Sequence, residues 1–321
     1  MIDTGWRSGI GNALEASRIQ VADRSPNRSE GEEGQLRASA QWQRRFGARF
    51  APEGAKYGVV HLPSYSAEYV VVGEGPPVVM VPGLAGGFEL LGRLAGSLAR
   101  NRQVISFQLR GERDAQARRR GFNRADLVGD LGHFLDALGL ERPTLLGVSF
   151  GGLIALEFAI HHPGRLSSLI VQGVDCRYRS RLFSMILKQA LLHYRLPHDS
   201  TFINQFFKLL FGRDEEPGPL FDFVTSRCWQ TDQGVMAHRL LMIEDFDVED
   251  RLWRIRAPTL VVAAEHDVIV PWESQQRVAL SIPGARFARI ARGGHLCFFT
   301  EPRTVSAHVR RFLTQQEPHA D

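Results

Sequence analysis

The segment around Ser149 constrains the fold more than any other part of the chain. An apolar stretch, Thr144–Leu146, runs into Gly147-Val148-Ser149-Phe150-Gly151, and the apolar-periodic segment Gly152–His161 follows directly. This order predicts a buried strand that turns sharply into a helix, with the serine at the apex. The two flanking glycines keep Cβ atoms out of the turn, so the serine can be held in a strained conformation with its hydroxyl in a cleft. We interpret the segment as a nucleophile elbow.

Short apolar segments alternate with helical segments along most of the chain. Two β-branched segments, Tyr57–Leu62 and Ala67–Val72, predict a hairpin. Further strands are predicted at Val78–Val81, Val104–Phe107, Thr144–Leu146, Leu169–Val171, Thr259–Ala263 and Phe287–Ile290. Continuous apolar strands between helices are typical of an α/β fold, with a mostly parallel, doubly wound sheet covered on both faces. Right-handed crossovers then bring the strand-to-helix loops to one edge, where we expect the chemistry.

The alternation stops between residues 176 and 250. This part holds large apolar residues at helical spacing, in the groups Phe183–Leu191, Phe202–Leu210, Phe221–Trp229 and Met236–Ile243. We predict a helical cap over 176–250, inserted into a core formed by 51–175 and 251–316. Residues 1–50 are rich in Arg, Ser, Gly, Glu and Gln and are expected to form a flexible extension. A short helix over Leu36–Phe50 is the alternative for its last part.

Charge and cysteine content exclude several classes of function. The net charge is +4 over 321 residues, and the densest basic run, Arg118-Arg119-Arg120, is interpreted as a solvated loop, so nucleic acid is not an expected partner. No apolar stretch approaches the roughly 18 residues of a membrane span, and the N-terminus lacks an apolar signal core. Cys176, Cys228 and Cys297 lie far apart, which favours free thiols in a reducing compartment and hence a cytoplasmic protein.

No metal or organic cofactor is implied by the sequence. Asp, His and Cys do not cluster at metal-ligand spacing, and the strand-to-helix loops lack a Gly-x-Gly-x-x-G dinucleotide motif. The sequence gives no expectation for the oligomeric state.

Two residues downstream of the elbow have the chemistry that a serine nucleophile needs. A serine hydroxyl requires a base to remove its proton, and the base requires a third group to fix its tautomer. His295 follows Gly293-Gly294 after the last predicted strand, so we expect its loop to be free to bring the ring to Ser149. Asp267 follows the strand Thr259–Ala263 and is the expected acid. Asp175, at the end of the preceding strand, is the alternative.

Two backbone N–H groups are candidates for stabilising an oxyanion. Phe150 follows the serine at the helix N-terminus, where the helix dipole favours negative charge. The loop Pro82–Gly87 follows the Val78–Val81 strand, and we select Leu84 in it because Gly83 is expected to let the backbone approach closely. The alternative is that this loop is a simple glycine-rich turn.

The chain resembles the α/β-hydrolase fold family in four features that occur in the family's order, namely the elbow, the Pro82–Gly87 loop, Asp267 and His295. Within this family it looks like the group of capped esterases, C–C hydrolases and cofactor-free perhydrolases. The resemblance covers about residues 57–316. It implies Ser149 as nucleophile, Asp267 and His295 as its partners, and Leu84 and Phe150 as oxyanion donors. Dehalogenases and epoxide hydrolases of this fold have an aspartate at the nucleophile position, so the serine argues against both.

The chain departs from the family pattern at two places. Members often have His-Gly where this chain has Pro82-Gly83. Members also often have Asp-x-Arg-Gly-x-Gly-x-Ser where residues 108–115 read Gln-Leu-Arg-Gly-Glu-Arg-Asp-Ala. The substrate therefore cannot be read from this second loop.

The expected function is serine hydrolysis of a small-molecule carboxylic ester or thioester through an acyl-enzyme. The aromatic-rich cap favours a substrate with an apolar part. Three other reactions use the same triad, namely C–C bond hydrolysis, acyl transfer to another acceptor, and perhydrolysis. A binding protein with little turnover is the alternative from another class of function.

Overall fold

The computed structural model describes residues 50–112, 121–178, 182–194, 200–212 and 218–316. The predicted extension up to residue 49 and the arginine run 118–120 lie outside these residues.

A single sheet forms the centre of the described chain. Its strands are β1 (Lys56–His61), β2 (Ser66–Val72), β3 (Pro77–Val81), β4 (Gln103–Phe107), β5 (Thr144–Val148), β6 (Ser168–Gln172), β7 (Thr259–Ala264) and β8 (Arg286–Ile290). They pair in the order β1-β2-β4-β3-β5-β6-β7-β8. Strands β1 and β2 form the predicted antiparallel hairpin, and β2 is antiparallel to β4. Every other neighbouring pair is parallel, as the continuous apolar strands predict.

Helices cover both faces of the sheet. They are α1 (Gly92–Leu98), α2 (Arg124–Ala137), α3 (Phe150–His161), α4 (Leu182–His193), α5 (Thr201–Phe211), α6 (Pro219–Cys228), α7 (Gln233–Glu244), α8 (Trp272–Ser281), α9 (Cys297–Thr300) and α10 (Pro302–Thr314), with 3-10 turns at Phe88–Leu91 and Glu249–Arg254. Helices α2, α3 and α8 contribute to the hydrophobic core on one face, through residues such as Phe134, Phe158 and Val278. Helices α1 and α10 contribute to the other, through residues such as Leu94 and Val309. All residues of β5 and β6 are buried, as strands between two helical layers must be.

Helices α4 to α7 follow β6 and precede β7, so they interrupt the alternation where the sequence predicts helical segments. The predicted fold class, a mostly parallel sheet with an inserted helical cap, is confirmed. Because β3, β5, β6, β7 and β8 are parallel, their carboxyl ends lie along one edge. The loops that follow these strands carry every residue that the sequence analysis selects.

Candidate active site

The turn at Ser149 has the strained geometry that the flanking glycines predict. Ser149 has φ 50° and is the only non-glycine residue with positive φ in the described chain. Its backbone N–H donates to the carbonyl oxygen of Gln172 at 2.8 Å. A Cβ on Gly147 would lie 2.5 Å from the carbonyl oxygen of Gly151, and a Cβ on Gly151 would overlap the carbonyl oxygen of Val81. The turn therefore excludes side chains on both sides of the serine.

The His295 ring bridges the serine and a carboxylate. Its Nε2 lies 2.7 Å from Ser149 Oγ, and its Nδ1 lies 2.9 Å from Asp267 Oδ2. His295 and Asp267 are buried, with 5% and 4% of their surface exposed. The structure thus brings together the three side chains that lie far apart in the sequence.

Four donors hold the Asp267 carboxylate in one orientation. Its Oδ1 accepts hydrogen bonds from the backbone N–H groups of Ile269 and Val270, at 3.0 and 2.8 Å. Its Oδ2 accepts from His295 and from Gln275 Nε2, the latter at 3.2 Å. Only Oδ2 faces the imidazole, which places the Nδ1 proton between the two groups.

The alternative acid, Asp175, is bound elsewhere. Both of its carboxylate oxygens accept from Arg277 Nη2 at 3.1 Å, and Oδ1 also accepts from the backbone N–H of Cys176 at 2.8 Å. These bonds direct the carboxylate toward α8, and it is Asp267 that contacts His295.

Two further residues that sequence reasoning missed support this arrangement. Gln275 on α8 is fully buried; its Nε2 donates to Asp267, and its Oε1 accepts from the backbone N–H of Gly173 at 2.9 Å. Gly173 has φ +66°, and a Cβ there would lie 2.9 Å from Cε1 of His295. Gln275 carries one signal in the sequence, because it shares a helix face with the buried Val278 and Ala279.

The loop before His295 is held more tightly than the sequence analysis expects. The backbone N–H of Gly294 donates to Phe211 O at 2.9 Å, and that of Leu296 donates to Leu210 O at 3.0 Å. A Cβ on Gly294 would overlap the backbone N of Gly212. Gly294 therefore allows close contact with the end of α5, and these contacts fix the loop in the position that brings the His295 ring to Ser149.

The two proposed oxyanion donors lie in the segments that follow β3 and β5. Phe150 is the first residue of α3, where an N–H group has no acceptor within the helix. Leu84 belongs to the loop that follows β3, and it lines the same cavity as Ser149. The reason given for selecting Leu84 is wrong, since a Cβ on Gly83 would meet Ser149 only at 3.7 Å, an ordinary contact.

An apolar cavity opens onto Ser149 and His295. Its volume is about 130 Å³, and its lining includes side chains from three of the inserted helices, namely Leu191, Phe207, Leu210, Met236, Leu240 and Ile243. Cys228 also lines it, but burial raises the pKa of this thiol to about 12. The thiol is therefore protonated at neutral pH and is not a competing nucleophile.

The described part of the chain holds no group of three or more His, Cys, Asp or Glu residues placed to bind a metal ion. Among the same residues, none of the helices combines the length and the apolar character that a membrane crossing needs.

Comparison with known proteins agrees with this architecture. The α/β hydrolase fold family matches residues 76–302. "Putative carbamate hydrolase RutD" of Variovorax paradoxus is 28% identical over 263 residues, which cover 75% of this chain and 93% of that protein.

Solved structures share the fold at lower identity. An esterase from Exiguobacterium antarcticum superposes with a TM-score of 0.73 and 21% identity, covering 81% of this chain and 100% of the other. The enol-lactonase of Burkholderia xenovorans superposes with a TM-score of 0.71 and 18% identity, covering 80% of this chain and all of the other. With a family match over more than half of its length, the chain belongs to the α/β-hydrolase fold family and is a hydrolase.

Proposed function

We propose that this hydrolase cleaves a carboxylic ester or thioester through an acyl-enzyme formed on Ser149, with Asp267 and His295 completing a catalytic triad. The observation that carries the proposal is the bridging imidazole, 2.7 Å from the serine oxygen and 2.9 Å from the carboxylate. Both distances are within the range required for nucleophile and base.

The proposed reaction has two halves. Nε2 of His295 takes the hydroxyl proton while Ser149 Oγ attacks the carbonyl carbon. The resulting tetrahedral intermediate expels the alcohol or thiol, which leaves with the proton from His295. Water, deprotonated by the same nitrogen, then attacks the acyl-enzyme and releases the acid and the free serine. Asp267 holds the imidazole in the required tautomer in both halves.

Negative charge on the carbonyl oxygen is proposed to be stabilised by the N–H groups of Leu84 and Phe150. Loss of one such donor typically raises the barrier by about 3–4 kcal/mol. The position of Phe150 at the start of α3 supports this role, because the partial positive charge of the helix dipole lies there.

The cavity supports a substrate with a small apolar group. Its volume of about 130 Å³ is similar to that of apolar cavities of about 150 Å³ that hold one benzene molecule. A group of roughly six carbon atoms therefore fits. We propose that residues 176–250 act as a cap that forms one wall of this cavity, since helices α4, α5 and α7 contribute to its lining.

Carbamate hydrolysis is the function in the name of the relatives, and a carbamate carbonyl is open to the same attack. A carbamate also brings a polar nitrogen that needs hydrogen-bond partners when it is buried. The hydroxyl and imidazole that line this cavity are those of Ser149 and His295, which the proposed chemistry already uses. The apolar lining therefore favours an ester.

A panel of p-nitrophenyl esters and acyl thioesters of graded chain length tests the proposal. We expect kcat/KM to rise from acetyl to butanoyl or hexanoyl, by up to about 15-fold for every two methylenes buried at about 0.8 kcal/mol each. It is expected to fall for dodecanoyl, which exceeds the cavity. Preference for a charged succinyl ester or for a carbamate over butanoyl would contradict the proposed substrate class.

Product analysis in water, alcohol and peroxide separates hydrolysis from acyl transfer and perhydrolysis, and a β-diketone substrate tests C–C cleavage.

A fluorophosphonate probe addresses the binding-protein alternative. The proposal expects covalent labelling of Ser149 in the folded protein. Absence of labelling, with no ester turnover, would favour the binding protein.

Gly173→Ala is expected to lower kcat by about 10- to 100-fold. The new Cβ would lie 2.9 Å from His295 Cε1 and would push the ring away from Ser149. Steady-state kinetics measures the effect. Gly284→Ala is the matched control, because Gly284 has a similar φ of +69° and a Cβ there meets nothing within 4 Å. Equal kcat values for the two variants would show that the ring position does not depend on Gly173.

A further inference from the structure

One arginine of the inserted helices contacts both of the residues proposed to donate to the oxyanion. Arg239 on α7 is fully buried, and its Nη1 donates to the carbonyl oxygen of Leu84 at 2.8 Å. Its Nη2 donates to the carbonyl oxygen of Arg110 at 3.2 Å. The guanidinium carbon lies 5.6 Å from the centre of the Phe150 ring. A single side chain thus contacts the two proposed oxyanion donors.

Stability does not explain a guanidinium at this position. Its charge is balanced by Glu112, whose Oε1 accepts from Nη1 at 2.9 Å. A buried ion pair still costs several kcal/mol of desolvation per ion, so well-packed apolar residues are often as stabilising. The Nε of Arg239 is buried without a hydrogen-bond partner, which adds to the cost. What the guanidinium offers instead is a rigid planar set of donors that fixes several acceptors at once.

A second contact holds the same loop. The backbone N–H of Gly86 donates to Thr231 Oγ1 at 3.0 Å, from the segment between α6 and α7. The loop is therefore tied to the inserted helices at residues 84 and 86. Between β3 and the first helical turn it includes Gly86 and Gly87, both with positive φ, and glycine backbone is intrinsically permissive.

We propose that Arg239 is a positioning residue that holds the Leu84 backbone in place for oxyanion binding. Hydrolysis then depends on α7 being docked, because the oxyanion site is complete only when the guanidinium reaches the loop. The inference rests on the proposed function, because it concerns the backbone N–H group of Leu84 that is proposed to bind the oxyanion. Helix α7 then contributes to the rate of hydrolysis as well as to the shape of the cavity.

Arg239→Met, Arg239→Lys and a matched control, Arg124→Met, test the inference. Arg124 also binds α7, donating from Nη1 to Met242 O at 2.6 Å, and its guanidinium lies 5.5 Å from the Phe246 ring. It does not contact the Pro82–Gly87 loop in any hydrogen bond of the structure. The two arginines therefore separate the loop contact from general anchoring of α7.

We expect Arg239→Met to lower kcat by about 10- to 100-fold while KM changes by less than about threefold. Arg239→Lys keeps the charge and one donor and is expected to recover part of the loss. Arg124→Met is expected to keep kcat within about threefold, whatever its effect on the thermal midpoint. An equal loss of kcat in Arg239→Met and Arg124→Met, or a kcat within threefold in Arg239→Met, would overturn the inference.

Hydrogen exchange provides a readout that does not need activity. The amides of residues 83–87 are expected to exchange faster in Arg239→Met than in the parent protein or in Arg124→Met. If Arg239→Met does not fold, the exchange rates of Arg239→Lys are compared with those of the parent protein and of Arg124→Met instead. Unchanged exchange would overturn the inference even if the triad is correct.

Failure of the parent protein to label with fluorophosphonate would overturn the proposed function, while the exchange comparison still decides whether Arg239 positions the loop.

Discussion

Ser149→Ala is expected to lower kcat for p-nitrophenyl butyrate by roughly 10⁴- to 10⁶-fold, the range found when an acyl-transfer nucleophile is removed. In the proposed reaction the first half forms a bond to Ser149 Oγ, and water placed by the remaining groups would replace this nucleophile poorly. KM is expected to change little, because the apolar cavity that binds the substrate is unaltered. Stopped-flow and steady-state measurements of p-nitrophenol release provide the test.

Ser106→Ala is the matched control for this experiment. Ser106 is buried, and its hydroxyl donates to Met80 O at 3.2 Å, within the sheet and away from the cavity. We expect this variant to lose about 1 kcal/mol of stability and to keep its kcat. Turnover by Ser149→Ala at the rate of the Ser106→Ala control would end the acyl-enzyme mechanism.

Asp267→Asn is expected to lower kcat by about 10⁴-fold through an inverted tautomer. The backbone N–H groups of Ile269 and Val270 both point at Oδ1, so the amide oxygen of asparagine must occupy that site. The amide NH₂ then faces His295 Nδ1, which has to become an acceptor. The ring proton moves to Nε2, where it faces Ser149 and prevents the nitrogen from acting as a base.

Asp175→Asn is the control for the acid, since this carboxylate is bound by Arg277. We expect its kcat to stay within about threefold of the parent value. A large loss in Asp175→Asn together with a small loss in Asp267→Asn would reverse the assignment of the two carboxylates. The thermal midpoint of each variant distinguishes loss of base function from loss of folding.

The order of strands and helices was predictable because each buried strand is a short continuous apolar run between helical segments. The strands from Val78 to Ile290 need no long-range information to be recognised, and the parallel arrangement follows from the helices between them. Ser149, Asp267 and His295 were selected for the same reason. Each follows a recognisable strand, so each belongs to the same edge.

The supporting residues were not predictable, because their roles depend on partners that are distant in the sequence. Gln275 binds Gly173 across 102 positions, and Arg239 binds Leu84 across 155. Nothing in the local sequence of α7 distinguishes Arg239 from a solvent-facing arginine. Its burial results from how the inserted helices pack on the strand edge.

Glycine was the least reliable guide to local structure. At Gly147 and Gly151 the prediction was correct, because a side chain at either position would collide with the turn. At Gly294 the contact partner is the backbone of α5, which no pattern near residue 294 reveals. Gly83 has room for a Cβ, so the lack of a side chain at this position does not determine the geometry of the Pro82–Gly87 loop.

The positive φ of Ser149 has a consequence for attempts to make this enzyme more robust. A non-glycine residue in such a conformation costs about 1–3 kcal/mol, whereas glycine adopts it freely. A screen that ranks variants by heat resistance alone will therefore reward glycine at this position and enrich variants that lack the proposed nucleophile. Any directed-evolution scheme for this chain has to couple survival after heating to product formation.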